Sequence, residues 1–366
     1  MPDFQFVDLS ADNDLCNNLQ GQKCVGLDTE FIREKTFFSR LCLIQLSTAE
    51  QIYCVDPMEL GSPEAGAAGE FWQTLMNFSW VLHSGRQDIE VLYQASARMP
   101  QKIFDTQIAA ALLGYQPQIG YANLVAELFD VELAKTHTRA DWSRRPLPDA
   151  FMEYAAEDVL YLLPAEQLLS ERLQALGRLE WALQDSTDLL QVSLYDNDPA
   201  LAINRLKGAG KLRGTRRSAA VALAAWRETE ALRSNRPRQW IMRDPVLLDL
   251  ACSGATDEKM LANIEGLGNR TIERAGTQLL SILQESANSD SQYEPPQRPD
   301  EKQKALLKEM TRRVSAHAGE LGIATEIIAP RKELAAAALG KTDSRVFRGW
   351  RAELVGSELL GLLNGV

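Results

Sequence analysis

Short apolar runs separated by polar turns dominate the first hundred residues of the chain. Strands are predicted for CVGLD (24–28), LCLIQLS (41–47), IYCV (52–55), WVLH (80–83) and KIFD (102–105). Helices are predicted near 67–77 and for DIEVLYQAS (88–96), where apolar residues recur at helical spacing. The first three strands follow one another at hairpin spacing and the later ones alternate with helices. The pattern therefore predicts an α/β sheet with mixed strand directions.

Beyond residue 105 the pattern is almost entirely helical, and after residue 210 no segment has a convincing strand pattern. Two stretches interrupt it with linker-like composition: SLYDNDPA (193–200) and SANSDSQYEPPQRPD (286–300). The length of 366 residues suits two or three domains of roughly 100–200 residues each. We therefore expect one α/β domain followed by small all-α domains.

The formal net charge of −11 is distributed unevenly along the chain. Residues 1–200 carry −17, residues 201–250 carry +7 and residues 251–366 carry −1. The positive charge is concentrated in NRLKGAGKLRGTRR (204–217) and RSNRPRQWIMR (233–243). Arginine and lysine interleaved with glycine and tryptophan suit a phosphate backbone, and a solvated linker and helix face would explain the same residues equally well.

Neither membrane nor disulfide chemistry is indicated. No apolar run approaches the ~18 residues of a membrane span. The acidic, mixed start MPDFQFVDLS lacks the basic-then-apolar pattern of a signal peptide. The 5 cysteines include no Cys-x-x-Cys spacing. We expect a cytoplasmic protein with reduced thiols.

Two carboxylates, Asp28 and Glu30, flank Thr29 at the end of the first predicted strand, in VGLDTEFIRE (25–34). Because side chains alternate along a strand, both carboxylates would lie on one face, with Cα atoms about 6–7 Å apart, while Thr29 points away. Like charges so placed repel one another. They are tolerated when solvated at a strand end, or when a divalent cation such as Mg²⁺ or Mn²⁺ lies between them.

Further candidate residues follow in helices. Asp88, in VLHSGRQDIEVL, opens a helix directly after a strand and a glycine turn. Sites of α/β sheets are built at such positions, although an N-cap is the simpler role. Tyr154 and Asp158, in EYAAEDVLYL, are four positions apart and so share one helix face. Taken singly, they would be a core-edge aromatic and a solvated charge.

Together, these five residues resemble the DEDDy 3′-5′ exonucleases. The segments DTEF (28–31), FDTQIAA (104–110), ADWSRRPL (140–147) and YAAEDVLYL (154–162) resemble the ribonuclease D branch, with Ala140 where serine is expected. LRGTRRSAAVALAAWRETEAL (212–232) resembles its helical HRDC module. The resemblance covers essentially the whole chain.

The resemblance implies a ribonuclease H-like exonuclease domain over residues 1–195, a mixed sheet with helices on both faces. All-α HRDC-like domains would follow at 205–288 and, more divergent, at 301–366, joined by a linker at 289–300.

By the same resemblance, Asp28, Glu30, Asp88 and Asp158 would hold two divalent ions, Mg²⁺ or Mn²⁺. Tyr154 would orient the attacking water, because an ordinary tyrosine pKa near 10 makes it a poor base at neutral pH. Glu30 would also accept a hydrogen bond from the terminal 3′ hydroxyl, which would enforce recognition of an end.

Substrate contacts are also predicted. Phe31 would stack on a base or belong to the core, and His83 would line the substrate path or cap its strand. Trp142, followed by Arg144 and Arg145, would form an aromatic platform beside phosphate-binding cations. The predicted substrate-binding residues are Thr29, Phe31, His83, Gln107, Lys135, Trp142 and Arg145.

The function implied is a metal-dependent 3′-5′ exoribonuclease that releases nucleoside 5′-monophosphates from transfer RNA precursors with 3′ extensions. The HRDC-like module would hold RNA upstream of the 3′ end. We expect a monomer without membrane partners, since no heptad pattern is long enough for a coiled coil. Two alternatives stay open: a DNA-directed exonuclease of the same chemistry, and a non-catalytic RNA-binding protein built from the same parts.

Overall fold

The structure is a computed structural model and describes residues 3–9, 14–58, 66–133, 140–289 and 299–364. Its Cα positions divide the chain into two compact units. Unit 1 comprises Met1–Ile32, Arg40–Leu194 and Pro299–Val366, and unit 2 comprises Arg33–Ser39 and Tyr195–Arg298. The predicted substrate contact Lys135 and most of the predicted linker at 289–300 lie outside the described residues.

Unit 1 is built on a mixed sheet. Its strands are β1 (Phe4–Asp8), β2 (Cys24–Ile32), β3 (Arg40–Ser47), β4 (Ile52–Asp56), β5 (Ser79–Leu82) and β6 (Lys102–Asp105). They lie in the order β1-β4-β3-β2-β5-β6. β3 is antiparallel to β2 and to β4, whereas the other neighbouring pairs are parallel. The predicted sheet of mixed strand directions is confirmed.

The sequence pattern does not predict β1, which forms one edge of the sheet. Only Val7 is buried among its five residues, and the Phe6 side chain is 48% exposed. The strand exists because its backbone pairs in parallel with β4. An edge strand that buries a single side chain gives only a weak apolar pattern in the local sequence.

Helices cover both faces of this sheet. In chain order they are α1 (Leu15–Asn18), α2 (Gly66–Met76), α3 (Arg86–Ser96), α4 (Thr106–Leu112), α5 (Tyr121–Phe129), α6 (Asp149–Leu160), α7 (Leu162–Ala175) and α8 (Leu179–Thr187). Thr29 of β2 bonds to a residue of α3, whereas Ser47 of β3 bonds to the backbone of α6. Because Ser47 is paired with Gly26 and side chains alternate, α3 and α6 lie on opposite faces.

The junction of α6 and α7 approaches β2 closely at Gly26. A Cβ atom there would lie 2.2 Å from Ser47 Oγ and 3.0 Å from Leu162 Cβ. Glycine is therefore required for α6 and α7 to pack on this part of the sheet.

Outside the loop Arg33–Ser39, unit 2 is built of helices joined by turns over its described residues, as the sequence predicts. Its α-helices are α9 (Gly214–Ser234), α10 (Arg238–Ile241), α11 (Asp244–Ser253), α12 (Glu258–Ala262) and α13 (Asn269–Ala287). Short 3-10 turns at Pro199–Arg205 and Ala209–Lys211 precede them. On α9, the carboxylate of Glu228 is buried between the guanidinium groups of Arg205 and Arg238.

The loop between β2 and β3 supplies part of the core of unit 2. Phe37 is 2% exposed, and the Arg238 guanidinium lies 4.4 Å from the centroid of its ring. The backbone N–H groups of Phe37 and Phe38 each donate to Asn235 Oδ1 at 3.0 Å. This loop is therefore anchored by both packing and hydrogen bonds.

The C-terminal segment belongs to unit 1. Its helices are α14 (Glu301–Leu321), α15 (Thr325–Ile328), α16 (Arg331–Ala338), α17 (Gly349–Arg351) and α18 (Ser357–Asn364), with a π-helical turn at Ala352–Gly356. Trp350 stacks on Trp181 of α8 at 4.4 Å, and Arg351 donates to both carboxylate oxygens of Asp185 at 2.6 and 2.7 Å. The predicted domain start at residue 301 thus falls within this compact unit, and the HRDC-like assignment of 301–366 stays a prediction. No helix in the described part of the chain is both long and apolar enough to cross a membrane.

Candidate active site

Three of the four predicted metal ligands lie together where β2 meets α6. Asp28, Glu30 and Asp158 each offer a carboxylate oxygen, and these oxygens all lie within 4.8 Å of one another. Among the described residues, no other group of three or more His, Cys, Asp or Glu side chains meets this spacing. The alternation predicted for β2 therefore places both of its carboxylates on the face that meets α6.

Asp88, the fourth predicted ligand, lies on α3 outside this group, although its charge contributes to the raised pKa values of Asp28 and Glu30. Its side chain is 7% exposed and accepts a hydrogen bond of 2.6 Å from Thr29 Oγ1. It is not the N-cap of α3, because Gly85 holds that position and Asp88 lies in the first turn. The partial positive charge of a helix N-terminus favours a carboxylate there. The Thr29 hydroxyl is thus committed to Asp88 rather than directed towards a nucleotide.

Asp105, in the FDTQIAA segment, fixes the turn from which α3 starts. Its carboxylate accepts hydrogen bonds from the N–H groups of Ser84 and Gly85, at 3.2 and 2.9 Å. The same carboxylate caps α4 by accepting from the N–H groups of Gln107 and Ile108. One buried side chain therefore sets the ends of two neighbouring elements.

A β-bulge lies beside Glu30. Glu30 pairs with Leu43 and Phe31 pairs with Leu41, so that Cys42 is the extra residue of β3. The Cys42 carbonyl accepts a hydrogen bond of 2.7 Å from Arg145 Nη2. Phe31, which follows Glu30 in β2, is half-buried at this bulge.

Arg145 has internal partners for every nitrogen of its guanidinium. Nε and Nη2 donate to the carboxylate of Asp56, and Nη1 donates to the carbonyls of Trp142 and Arg144 at 2.8 and 2.9 Å. With the Cys42 carbonyl included, the side chain joins the bulge to the end of β4. In this conformation it is a structural brace, and its predicted contact with substrate stays a prediction.

The carboxylates of the site hold protons more tightly than usual. Burial, with repulsion from its acidic neighbours, raises the pKa of Asp28 well above its ordinary value. Burial followed by the charges of Asp158 and Asp88 raises the pKa of Glu30 to about 8. Burial also raises the pKa of Asp158 to about 7 and that of Asp88 to about 6. Within the described ranges, none of the four forms an ion pair with Lys, Arg or His.

Tyr154 lies one helical turn before Asp158 on α6, and its hydroxyl is hydrogen-bonded to the Asp158 carboxylate. Burial and the nearby negative charges raise the pKa of Tyr154 above its ordinary value. The phenolic hydroxyl therefore stays protonated near neutral pH and can donate a hydrogen bond.

Trp142 differs from the predicted stacking platform. It is 3% exposed and lies among aromatic rings, with centroids 5.2 Å from Phe151 and 6.2 Å from Tyr154. The local pattern of tryptophan followed by two arginines could not show that the ring packs under α6. In this structure it supports Tyr154 from the core.

His83 and Gln107 meet at one backbone carbonyl. His83 Nε2 and Gln107 Nε2 each lie 2.9 Å from Ile119 O, and His83 Nδ1 lies 2.9 Å from Thr106 Oγ1. Burial lowers the pKa of His83. These bonds agree with the strand-end role considered for His83, and contact with substrate stays a prediction for both residues.

The donor set fits a hard divalent cation. The clustered ligand atoms are all carboxylate oxygens, as Mg²⁺ and Mn²⁺ prefer. Gln45, which pairs with Asp28 across the ladder, is fully buried, and within the described residues neither polar atom of its amide has a hydrogen-bond partner. An unpartnered buried amide beside these carboxylates indicates that further polar groups belong to the site.

Sequence reasoning does not identify several residues that shape the site. Gln45 and Ser47 leave a detectable signal, because they are polar residues at alternate positions in the apolar strand LCLIQLS. Asp105 precedes a helix and so signals a cap. Tyr121 gives no local signal, since its hydroxyl bonds to backbone atoms 36 and 40 positions away.

The chain matches two protein families. The 3′-5′ exonuclease family matches residues 6–174, and the HRDC domain family matches residues 217–283. Exonucleases of this kind typically depend on metal ions, in agreement with the carboxylate group described above.

Relatives match over nearly the full length. Ribonuclease D of Acidiphilium cryptum is 35% identical over 96% of this chain and 90% of that protein. Ribonuclease D of Pseudomonas paraeruginosa is 32% identical over 95% of this chain and 94% of that protein. The crystal structure of Escherichia coli RNase D, an exoribonuclease involved in structured RNA processing, is similar with a TM-score of 0.86 at 26% identity over 99% of both chains. The chain therefore belongs to the ribonuclease D family of 3′-5′ exoribonucleases.

Proposed function

We propose that the chain uses two divalent ions, Mg²⁺ or Mn²⁺, to trim the 3′ ends of transfer RNA precursors. The observation that carries this proposal is the group formed by Asp28, Glu30 and Asp158, whose oxygens lie within 4.8 Å of one another. Half-buried carboxylates this close are unfavourable unless cations neutralise them. The elevated pKa of Glu30, about 8, is a direct expression of that cost.

Four residues would hold the ions: Asp28, Glu30, Asp88 and Asp158. Two bound ions would activate the attacking water and stabilise the leaving 3′ oxygen of the scissile phosphodiester. Asp88 would contribute from α3, on the side of β2 to which Thr29 points. The fold holds these carboxylates on β2, in the first turn of α3 and near the end of α6.

Tyr154 would orient the water that attacks the phosphorus. Its raised pKa keeps the hydroxyl protonated near neutral pH, so it acts as a hydrogen-bond partner and not as a general base. Its bond to Asp158 fixes where the hydroxyl lies. Glu30, with the longer side chain, would also accept a hydrogen bond from the terminal 3′ hydroxyl and so select chain ends.

The terminal nucleotide would lie beside Phe31. This ring is half-buried at the bulge next to Glu30, so one edge of it is available to a base. The remaining proposed contacts of the RNA are His83, Gln107, Lys135 and Arg145.

Unit 2 would contribute RNA affinity. Trp240 is 51% exposed, and the Arg236 guanidinium lies 5.8 Å from the centroid of its ring. Both belong to the segment 201–250, which carries a net charge of +7. An exposed indole among arginines suits stacking on a base beside bound phosphates.

Substitution in the full-length chain tests this role of unit 2. Trp240→Ala should weaken binding of single-stranded RNA by about 1–3 kcal/mol, as measured by fluorescence anisotropy in EDTA. Met260→Ala, which removes another exposed apolar side chain of unit 2, should leave the affinity unchanged. Equal affinities for both variants would contradict the proposed contact.

Transfer RNA precursors, a monomeric state and a cytoplasmic location complete the proposal. The Escherichia coli relative is described as acting on structured RNA, which transfer RNA is. All five cysteines of this chain are free thiols, as is usual in a reducing compartment. Sedimentation and fractionation would test the last two points.

A 5′-labelled RNA with a short unpaired 3′ end tests the catalytic proposal. Wild type and Asp28→Asn are incubated with it in Mg²⁺, in Mn²⁺ and in EDTA, and single-stranded DNA of equal sequence serves for comparison. A ladder that shortens from the 3′ end, requires metal and disappears in Asp28→Asn while RNA is still bound would support it. Binding without trimming in every metal would overturn it.

A further inference from the structure

The helix that carries Asp158 is interrupted shortly after that residue by a side chain from another helix. α6 ends at Leu160 and α7 begins at Leu162, with Tyr161 between them at φ −102° and ψ 5°. The hydroxyl of Tyr121, the first residue of α5, accepts a hydrogen bond of 2.9 Å from the Tyr161 N–H and donates one of 3.2 Å to the Glu157 carbonyl. In a continuous helix that N–H and that carbonyl would bond directly. A side chain inserted into the ladder in this way breaks or kinks a helix.

A second side-chain hydroxyl bonds to a backbone carbonyl of α6 two residues after Glu157. Ser47 Oγ donates a buried hydrogen bond of 2.8 Å to the carbonyl of Val159. Ser47 is on β3 and is 3% exposed, and the absence of a side chain at Gly26 leaves the space in which this bond forms. The carbonyls on either side of Asp158, those of Glu157 and Val159, are therefore each held by a side chain from a different element.

Asp158 needs such anchors, because its carboxylate lies within 4.8 Å of those of Asp28 and Glu30 and is repelled by them. Repulsion would favour any small rotation that moves the end of α6 away from β2. Closing the ladder at Tyr161 would provide one, since its dihedral angles would change towards the usual −63° and −42° of an α-helix. The two hydroxyl bonds oppose this change.

We propose that Tyr121 and Ser47 are positioning residues which hold the last turn of α6 so that Asp158 stays beside Asp28 and Glu30. This inference rests on the proposed role of Asp158 as a metal ligand. Both hydroxyls are bonded to the backbone of α6 and of Tyr161. Both act through the backbone on either side of the ligand.

The test uses Tyr121→Phe and Ser47→Ala in the full-length chain, each with a matched control. Tyr115→Phe removes another bonded tyrosine hydroxyl, which accepts from Arg172 Nη1 at 2.8 Å. Ser96→Ala removes another buried serine hydroxyl, which donates to a helix carbonyl at 2.7 Å. The probe is Mn²⁺ alone, titrated calorimetrically into metal-free protein.

Loss of partners that orient a metal ligand typically costs 10–100-fold in metal affinity. We therefore expect Mn²⁺ to bind about 10–100-fold more weakly to Tyr121→Phe and Ser47→Ala, and within about twofold of wild type to both controls. On RNA, kcat should fall by a similar factor while KM stays within about twofold. Amide hydrogen exchange at residues 157–163 in EDTA should speed up in the two variants and stay unchanged in the controls.

Wild-type Mn²⁺ affinity and wild-type kcat in Tyr121→Phe and Ser47→Ala would overturn the inference. Asp158→Asn, measured in parallel, separates this result from a failure of the proposed function. If Asp158→Asn loses Mn²⁺ affinity and activity while both positioning variants keep them, only the positioning role is wrong. If Asp158→Asn keeps both, the ligand assignment itself is wrong. Should thermal melting show that one positioning variant does not fold, the other decides, because each removes a separate bond.

Discussion

Both units of the protein bury carboxylates, but they stabilise them in opposite ways. In unit 2, Glu228 is 1% exposed and lies between Arg238 and Arg205. In unit 1, Asp28 and Glu30 share a small volume with Asp158 and, within the described residues, have no basic partner. The same functional group is a structural anchor in one unit and an electrostatic burden in the other.

This difference shows what each carboxylate is for. The guanidinium groups of Arg205 and Arg238 form ion pairs with Glu228, so its charge is already neutralised in the folded protein. The carboxylates of β2 and α6 instead raise one another's pKa, so their mutual repulsion is not compensated within the fold. Their negative charge is therefore available to bind cations, which are not part of the chain. Substitutions in the two regions should therefore have stability effects of opposite sign.

The largest effect is expected at Asp28. Asp28→Asn keeps the size of the side chain and removes a ligand charge, so kcat should fall by at least about ten-thousandfold, or about 5.5 kcal/mol of barrier. The same substitution should raise the midpoint of thermal unfolding in EDTA, because it relieves repulsion with Glu30 and Asp158. Single-turnover RNA hydrolysis and calorimetric unfolding measure the two effects. A lower midpoint in EDTA would contradict the picture of an uncompensated site.

Glu228→Gln should act in the opposite direction. It leaves Arg238 without its buried partner, and breaking a buried ion pair typically costs about 3–5 kcal/mol of unfolding free energy. Urea denaturation followed by tryptophan fluorescence measures this loss, since Trp226 lies on the same helix. Glu230→Gln is the control on α9, because its partner Arg233 is largely exposed and the loss should be small. Equal losses for the two variants would remove the contrast between the units.

The unfolding free energy of the metal-free protein should depend on pH because of the same repulsion between carboxylates. Glu30, with a folded-state pKa of about 8, binds more protons in the folded state than in the unfolded state, where an ordinary value near 4.3 applies. The stability it contributes is fully present below about pH 4 and is lost as the pH rises through about 8. In EDTA, wild type should therefore lose roughly 3–4 kcal/mol more than Glu30→Gln between pH 5 and pH 8. Urea denaturation of both proteins at each pH provides the measurement. If the unfolding free energies of wild type and Glu30→Gln changed equally with pH, the pKa of Glu30 would not be raised.

The smallest effect is expected at Gln45. Its buried amide has no partner among the described residues, and Gln45→Met replaces it by an apolar side chain of similar shape. The unfolding free energy in EDTA should rise by about 1 kcal/mol, because the cost of an unsatisfied polar group disappears. Gln167→Met, a substitution at an exposed position of α7 where the amide nitrogen donates to Glu171, is the comparison and should bring no such gain. A loss of stability in Gln45→Met would mean that the amide is satisfied after all.

Much of the sheet could be predicted from the sequence because the signals are local. The strands β2 to β6 coincide with apolar runs bounded by turns, and the alternation along β2 correctly places Asp28 and Glu30 on one face with Thr29 on the other. The strand β1 could not be found in this way, since its single buried residue, Val7, leaves no pattern. Local periodicity therefore predicts elements that are buried on one face or both and overlooks an exposed edge.

The rest of the site depends on contacts between distant positions. Nothing near Tyr121 in sequence shows that its hydroxyl enters a helix 36 positions away. Arg145 resembles a phosphate ligand in its local context, yet a carboxylate and backbone carbonyls occupy its nitrogens. Trp142 resembles an exposed platform and is buried. Side chains of arginine, tryptophan and tyrosine can serve either a core or a ligand, and only the fold decides between these roles.

The loop between β2 and β3 determines how freely the two units can be separated as modules. Because Arg33–Ser39 belongs to unit 2, the polypeptide passes between the units four times. A fragment limited to Tyr195–Arg298 would lack Phe37 and so contain a cavity in its core, whereas deletion of that range would leave Phe37 and Phe38 without the residues that bury them. Grafting unit 2 onto another nuclease, or removing it from this one, would therefore require redesign of the hairpin whose first strand carries Asp28 and Glu30.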